Sequence, residues 1–134
     1  MKKYSVEEFY GAKGEDLGAI SLLGFEDVII NDDGSLSMTI KAQKKHMNMH
    51  GTIQGGIQYI ICDTAIGAYL IHIGRPGVGM EGSIHYYRPA REGDFLTSTV
   101  RERKNGRRTG NYFVELTNQD GKMIAEAVFS TMYD

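Results

Sequence analysis

The sequence predicts an α+β protein in which a curved antiparallel β-sheet wraps around one long central α-helix. Two patterns predict this class: apolar residues recur with the helical period between positions 53 and 71, and alternating apolar and polar residues mark strands on both sides of that stretch. The helix is too apolar to lie on the outside of the sheet. One helix leaves part of the sheet uncovered, so we expect self-association into a homodimer or homotetramer.

Composition limits the function classes. The chain has 134 residues, 41% of them hydrophobic, which is enough for one domain with a substantial core. A net charge of −2 argues against a nucleic-acid-binding protein. The single cysteine, Cys62, rules out an internal disulfide and favours the cytoplasm. No apolar run approaches the roughly 18 residues of a membrane span, and no signal-peptide pattern follows the first three residues.

The N-terminal part of the predicted domain is helical. Ser5 begins a Ser-x-x-Glu capping box, which predicts a short helix there. Glycines at 11 and 14 interrupt this helix, and a second helical piece runs to about Leu23, before Gly24. We therefore expect a single domain over residues 1–134, with a helical segment at 1–23 and the core at 24–134.

Two strands precede the long helix. Residues 25–30 predict the first strand, and 31–34 (Asn-Asp-Asp-Gly) predict a turn. Residues 35–41 alternate cleanly and predict the second strand of a hairpin. The side chains expected to point inward are Leu36, Met38 and Ile40, and those expected to point outward are Ser37, Thr39 and Lys41.

One acidic residue stands alone in the long helix, which is predicted to begin near Thr52. Asp63 is the only Asp, Glu, Lys or Arg between positions 46 and 74. A carboxylate in apolar surroundings costs several kcal/mol of desolvation unless it is compensated, and its pKa should rise. The predicted inward stripe is Ile53, Ile57, Ile60, Ile61, Thr64, Ala68 and Ile71. Asp63 lies on its flank, roughly 80° from the middle at 100° per residue.

Four further strands follow the helix. They are predicted at residues 78–87, 95–103, 111–118 and 123–133, and their alternation predicts antiparallel pairing. Turns are predicted at 91–94 and at 120–121. Asn105-Gly106 predicts a two-residue hairpin turn.

Several motifs resemble a known family. The order H-x-N-x-x-G-x-x-Q-G-G over residues 46–56, followed by D-x-A-x-G over 63–67, is similar to the hot-dog fold acyl-CoA thioesterases of the PaaI type. Residues 84–94 and 120–125 resemble later strands and turns of that family, and the resemblance spans roughly residues 24–133. It implies the hot-dog fold and hydrolysis of an acyl thioester to a free carboxylic acid and CoA. CoA is then part of the substrate, and no separate cofactor is implied.

The resemblance also implies roles for particular residues. Asp63 takes the position of the catalytic carboxylate, as nucleophile or general base, and Gly55 that of the backbone N–H which holds the thioester carbonyl. Asn48 matches an asparagine that acts from the partner subunit. Gln54 stands where many members have His. Gly79 stands where many members have a Ser or Thr that holds the hydrolytic water.

The start of the helix supports the same chemistry on physical grounds. Gln54, Gly55 and Gly56 lie where unsatisfied N–H groups and the helix dipole carry partial positive charge, and glycine lets a ligand approach the backbone closely. Asp63 lies seven to nine residues further on, roughly 10–13 Å along the axis at 1.5 Å per residue. One helix cannot bring both ends to one carbonyl, so we expect an active site shared across a dimer interface.

Basic residues near turns are candidates for binding the CoA nucleotide. Arg88 and Arg91 flank the predicted Pro-Ala turn, and Arg107 and Arg108 lie at a predicted hairpin tip. His46 and His50 have a metal-like spacing, but they lie in a predicted loop without an acidic or Cys partner, so we expect no metal.

Two alternative functions stay open from the sequence. A non-catalytic acyl-CoA-binding module would bind acyl-CoA without releasing thiol, and Gln54 and Gly79 favour this reading. A hot-dog hydratase or dehydratase would interconvert hydroxyacyl and enoyl thioesters, but it usually needs a paired His and acid.

Overall fold

Seven antiparallel strands form one sheet in the computed structural model, which describes residues 1–134. The strands are β1 (Lys2–Ser5), β2 (Phe25–Ile30), β3 (Leu36–Lys41), β4 (Gly77–Tyr86), β5 (Phe95–Asn105), β6 (Thr109–Thr117) and β7 (Met123–Tyr133). Their order across the sheet is β1-β2-β3-β5-β6-β7-β4. The helices are α1 (Val6–Tyr10), α2 (Ala19–Leu23) and α3 (Gly55–His72), with short 3₁₀ turns at Gly14–Leu17 and Lys44–His46.

The long helix α3 packs against the sheet and contacts β3, β4, β5, β6 and β7. Leu36, Leu96 and Leu116, which come from three different strands, are fully buried in the shared core. The predicted α+β architecture, the hot-dog arrangement of a sheet around one long helix, is confirmed.

The N-terminal segment is helical as predicted, with one addition. Ser5 caps α1: its hydroxyl accepts from the Glu8 N–H at 3.2 Å, and its own N–H donates to Glu8 Oε1 at 3.0 Å. α2 ends at Gly24, whose φ of 88° favours glycine. Residues 2–5, however, form strand β1 and pair with β2. Their sequence lacks a strand-like alternation, so this pairing depends on the exposed edge of β2.

The alternation along β3 is only partly as predicted. Leu36, Met38 and Ile40 are fully buried, but the expected outward residues Ser37 and Thr39 are buried as well. The Ser37 hydroxyl hydrogen-bonds that of Thr99 at 2.8 Å, and the Thr39 hydroxyl accepts from the Asp27 N–H at 3.2 Å. Ser37 and Thr39 thus lie on the face opposite Leu36, Met38 and Ile40, as the alternation predicts, but contacts with the neighbouring strands β2 and β5 bury them.

The inward face of α3 also differs from the prediction. Ile60 and Ile71, placed in the predicted stripe, are 39% and 55% exposed, and the helix begins at Gly55 rather than near Thr52. Because α3 is apolar nearly all round, its hydrophobic period does not select one face. The residues that the sheet buries are Gln58, Ile61, Cys62, Ala65, Ile66, Ala68, Tyr69 and Leu70.

The strands that follow α3 lie close to their predicted bounds. Their order in the sheet does not follow the chain, and one turn differs from the prediction. β4 pairs with β7 at the far edge of the sheet and not with β5, its successor in the chain. A β-bulge between Gly79 and Glu81 leaves Met80 unpaired. The turn between β5 and β6 spans residues 106–108. It is therefore not the predicted two-residue turn at Asn105-Gly106. Arg75 donates to the Gly106 and Arg107 carbonyls, each at 2.8 Å, and holds this longer loop.

The packing predicts a large stability difference between two leucines. Leu96 is fully buried between helix and sheet, whereas Leu22 is 73% exposed. Leu96→Ala should lower the free energy of unfolding by about 2–5 kcal/mol, because it removes buried methyl groups and leaves a cavity. Leu22→Ala, the matched control, should stay within about 0.5 kcal/mol of the unsubstituted protein. Urea titration measures both values, and equal losses would contradict this description of the core.

Candidate active site

Asp63 lies where α3 faces the β4 edge of the sheet. Two adjoining cavities, of about 170 and 300 Å³, meet at this residue and at Gly79. The smaller cavity is also lined by Ile66, Gly67, Leu70, Gly77, Phe129 and Thr131, and the larger by Tyr59, Met80, Glu81, Gly82 and Phe129. The only other ionisable carboxylate in this lining is Glu81. Neither cavity is lined by Lys, Arg or His, so no cation in the lining neutralises Asp63.

The carboxylate of Asp63 has no partner in the chain, because no side-chain hydrogen bond or salt bridge reaches it. Its side chain is exposed, yet the surrounding apolar groups desolvate it and raise its pKa above the ordinary value. The predicted direction of the pKa shift is therefore found. A carboxylate that is poorly solvated and uncompensated is suited to attack a carbon atom or to take a proton from water.

The first turn of α3 presents free backbone donors. The N–H groups of Ile57 and Gln58 donate to the Gln54 carbonyl at 3.0 and 3.2 Å, whereas those of Gly55 and Gly56 have no backbone acceptor. No atom lies within 4 Å of where a Gly56 Cβ would stand. These two N–H groups can therefore receive an oxyanion, with the positive end of the helix dipole behind them.

Tyr86 closes the other side of Gly55. Its hydroxyl donates to the Gly55 carbonyl at 2.8 Å, and a Cβ on Gly55 would lie 2.9 Å from that oxygen. A larger residue at position 55 would therefore require the partly exposed Tyr86 side chain to shift. A third cavity, of about 340 Å³, opens here and is lined by Thr52, Ile53, Gly55, Gln58, Tyr86, Tyr87, Arg88 and Pro89.

Gly55 and Asp63 do not meet within one chain. They are eight residues apart on α3, about 12 Å along the axis at 1.5 Å per residue, and they line different cavities. The chain thus carries two separate half-sites. One is the carboxylate half-site, with Asp63 and Gly79, and the other is the donor half-site, with Gly55 and Gly56.

The side chains of Asn48 and Gln54 are not directed at Asp63. Asn48 Oδ1 accepts from the backbone N–H of His50 at 2.9 Å and of Thr52 at 3.2 Å, and its Nδ2 donates to the Thr52 hydroxyl at 2.9 Å. Asn48 therefore stabilises the loop that leads into α3. Gln54 is the exposed N-cap residue, and its side chain makes no capping hydrogen bond.

The four candidate arginines lie at two ends of the molecule. Arg88 lines the cavity at Gly55, and Arg91 forms a β-bridge with Thr52 nearby. Arg107 and Arg108 lie in the β5–β6 loop that Arg75 holds, at the C-terminal end of α3. Since α3 has 18 residues and is about 27 Å long, the two arginine pairs lie near opposite ends of the helix. The two pairs therefore cannot bind the same nucleotide within one chain.

His46 is a structural residue that the sequence did not reveal as buried. It is 1% exposed, its Nδ1 accepts from the Gln43 N–H at 2.9 Å, and its Nε2 donates to the Leu23 carbonyl at 2.8 Å. It therefore ties the loop before α3 to the end of α2. Cys62 is fully buried, and burial, together with the charge of Asp63, raises the pKa of its thiol to about 12. No group of three or more His, Cys, Asp or Glu side chains is arranged to hold a metal ion.

Three residues near the half-sites have no counterpart in the predicted site. Tyr86 and Gln58 lie at the donor half-site, and Thr131 lies at the carboxylate half-site. Gln58 is 4% exposed, and its Oε1 is buried with no hydrogen-bond partner. Nothing in the local sequence marks these residues, because their positions follow from the pairing of β4 with β7 and from the rotation of α3.

Comparisons with known proteins identify the family. The profile of the Thioesterase superfamily matches residues 50–125, which include both half-sites. The chain belongs to the thioesterase superfamily. It is a thioester hydrolase of the PaaI type, as its motifs predict. The acyl-coenzyme A thioesterase PaaI of Escherichia coli is 32% identical over 99 residues, which cover 74% of this chain and 71% of that protein.

Similar proteins are also found in eukaryotes and among solved structures. Human acyl-coenzyme A thioesterase 13 is 30% identical over 108 residues, 78% of this chain and 77% of that one. The structure of E. coli PaaI superposes with a TM-score of 0.84 at 26% identity and covers 97% of this chain and 91% of that one. A hypothetical thioesterase from Streptococcus pneumoniae, solved with coenzyme A, gives 0.77 at 29% identity and covers 82% and 88%. None of the helices of this thioesterase has the length and apolarity to cross a bilayer.

The environment of Asp63 predicts a gain of stability when its charge is removed. The pKa of Asp63 is higher in the folded chain than in the unfolded chain, so the folded state disfavours the ionised form. Above both pKa values the charge therefore destabilises the fold. Asp63→Asn should raise the melting temperature at pH 7 and should lose this advantage below pH 3.8. A lower melting temperature at pH 7 would mean that Asp63 is compensated by an interaction within the protein.

Proposed function

We propose that the protein is an acyl-CoA thioesterase whose active site combines the carboxylate half-site of one subunit with the donor half-site of another. The observation that carries the proposal is the separation of Gly55 and Asp63 in one chain, about 12 Å along one rigid helix. A carboxylate without an oxyanion-binding group is an incomplete site for acyl transfer. A second copy supplies the missing half, and a twofold interface supplies it twice.

The chemistry runs through a tetrahedral intermediate. Asp63 takes a proton from a water molecule, and the oxygen of that water bonds to the thioester carbonyl carbon. The resulting oxyanion accepts hydrogen bonds from the N–H groups of Gly55 and Gly56 of the partner subunit. The carbon–sulfur bond then breaks, and the CoA thiolate takes up a proton as the free acid leaves. Alternatively the Asp63 carboxylate attacks the carbon itself, and water hydrolyses the anhydride that forms.

An exposed apolar edge supports the proposed self-association. β4 is an edge strand, and its Val78 and Met80 are 63% and 53% exposed. Ile60 and Ile71 of α3 add to the exposed apolar surface on the helix. An open strand edge next to exposed apolar side chains is a surface that proteins normally cover. A homodimer covers it, and a homotetramer is a pair of such dimers.

The basic residues support CoA as the carrier. Arg88 lines the donor half-site, where its guanidinium can pair with a phosphate of the bound nucleotide. Arg91 lies near it, and Arg107 and Arg108 contribute only if another subunit brings the β5–β6 loop to the same cleft. We place the enzyme in the cytoplasm, as the single buried thiol suggests.

Removal of the carboxylate tests its role. Asp63→Asn keeps the size of the side chain but cannot accept a proton or attack the thioester carbon. We expect a loss of about 10²–10⁴-fold in kcat, the range for a missing acid–base group. The measurement is thiol release from a panel of acyl-CoAs, with circular dichroism and size-exclusion chromatography as controls. Unchanged thiol release from a folded variant would overturn the role of Asp63, and an enoyl product from the unsubstituted protein would indicate a lyase.

The pH dependence of kcat/KM tests the ionisation of Asp63. Only the ionised carboxylate reacts, so activity should fall as the pH drops through the raised pKa of Asp63, and the acid limb should lie above pH 3.8. Glu81 on β4 faces the same cavity, and Tyr59 on α3 lines it. Glu81→Gln is therefore measured in parallel and should leave an acid limb in place. If the acid limb disappears in Glu81→Gln, the ionisation that controls activity belongs to Glu81 and not to Asp63.

Mixed oligomers test the shared site. Gly55→Ala forces the Tyr86 hydroxyl, 2.9 Å from the new methyl group, to shift and so distorts the donor half-site, whereas Asp63→Asn disables the other half-site. Each variant alone should be nearly inactive. Random mixing should restore about a quarter of the activity, since half of the dimers are mixed and carry one intact site of two. Verified mixed dimers without activity would mean that both groups act from one chain.

A further inference from the structure

Gly79 of β4, which stands where many family members have a Ser or Thr, lies directly opposite a threonine of the neighbouring strand β7. Gly79 pairs with Thr131 of β7 in the antiparallel register, so any side chain at position 79 would stand beside that of Thr131. Thr131 lies on the same face of β7 as the buried residues Phe129 and Ala127, and the Phe129 ring packs against Tyr59 of α3. Gly79, Thr131 and Asp63 line the same cavity of about 170 Å³.

The Thr131 hydroxyl has no protein partner. The other buried hydroxyls of the sheet are engaged: Ser37 bonds to Thr99, Thr39 accepts from the Asp27 N–H, and Ser98 donates to the Met38 carbonyl. Thr131 is 1% exposed, yet no hydrogen bond within the chain uses its hydroxyl, and its side chain borders the Asp63 cavity. Gln58 Oε1 is the only fully buried side-chain polar atom without a partner, so the Thr131 hydroxyl keeps its small exposure at the cavity, where water or a ligand can satisfy it.

The cavity has room for that water. Water occupies about 30 Å³ per molecule in the liquid, so a space of this volume admits several. A molecule held there can accept a hydrogen bond from Thr131 and donate one to the Asp63 carboxylate. A hydroxyl and a carboxylate that share one water orient its lone pair away from both, towards a thioester carbon at the mouth of the cavity.

We propose that Thr131 holds the hydrolytic water for Asp63 and so supplies, from β7, the hydroxyl that β4 lacks at Gly79. This inference rests on the proposed function, in which Asp63 is the nucleophile or the general base. It applies to both routes: Thr131 orients the water that attacks the thioester, or the water that attacks the Asp63 anhydride. No bond to Thr131 forms or breaks, and its hydroxyl proton stays in place.

Three variants test the role of the hydroxyl. Thr131→Val keeps the shape and β-branching but removes the hydroxyl, and it should lower kcat about 3- to 10-fold with little change in KM, as expected for one lost hydrogen bond. Thr131→Ser keeps the hydroxyl and should retain most of the activity. Since no atom lies within 4 Å of a Gly79 Cβ, Gly79→Ser can be added to Thr131→Val and should restore kcat from the neighbouring strand.

The outcomes separate this inference from the function on which it rests. Thr131→Val with full kcat, or with a loss that neither Thr131→Ser nor Gly79→Ser repairs, would overturn the role of Thr131 while Asp63→Asn still abolishes turnover. Full turnover by Asp63→Asn would instead overturn the proposed function. The acid limb of the pH profile should stay in place in Thr131→Val, because Asp63 remains the ionising group. Melting temperatures within a few degrees of the unsubstituted enzyme exclude loss of folding as the cause.

Discussion

Burial of one face of α3 against the sheet determines where Asp63 and Gly55 lie. The sheet takes up the face that carries Ile61, Cys62, Ala65 and Tyr69, and this leaves Asp63 on the flank beside the β4 edge. The same rigid helix holds Gly55 at its first turn. Gly55 and Asp63 are eight residues apart on this helix. The packing that stabilises the fold therefore also keeps the carboxylate away from the backbone N–H groups proposed to bind the oxyanion. In the proposed mechanism, self-association is therefore needed to complete the site as well as to cover apolar surface.

Much of this arrangement could be predicted from local patterns. The bounds of β2 and β7, the capping box at Ser5 and the helix that carries Asp63 all depend on neighbours in the sequence. Asp63 and the Gly55-Gly56 pair can be identified from the sequence because a charge and two adjacent glycines stand out in an apolar stretch. The family resemblance implies the roles that we propose for them, and it points to the hydroxyl missing at Gly79.

Other features could not be predicted, because they depend on contacts between distant residues. The rotation of α3 is ambiguous in a helix that is apolar nearly all round, so the sequence pattern places the exposed residues Ile60 and Ile71 on the inward face. The pairing of β4 with β7 is not encoded in the alternation of either strand, and it alone brings Thr131 to Asp63. Arg75 reshapes the β5–β6 loop from 30 residues away, where no turn rule could account for it.

The bulge at Met80 has a consequence for how copies of the chain can meet. An open edge strand of ten residues could in principle accept another strand in many registers and extend into fibres. The extra residue at Met80 interrupts the regular ladder of β4 and increases its local twist, so a neighbouring strand cannot slide along it freely. The irregularity therefore acts against open-ended aggregation, and it favours a closed pair in one register over a growing sheet.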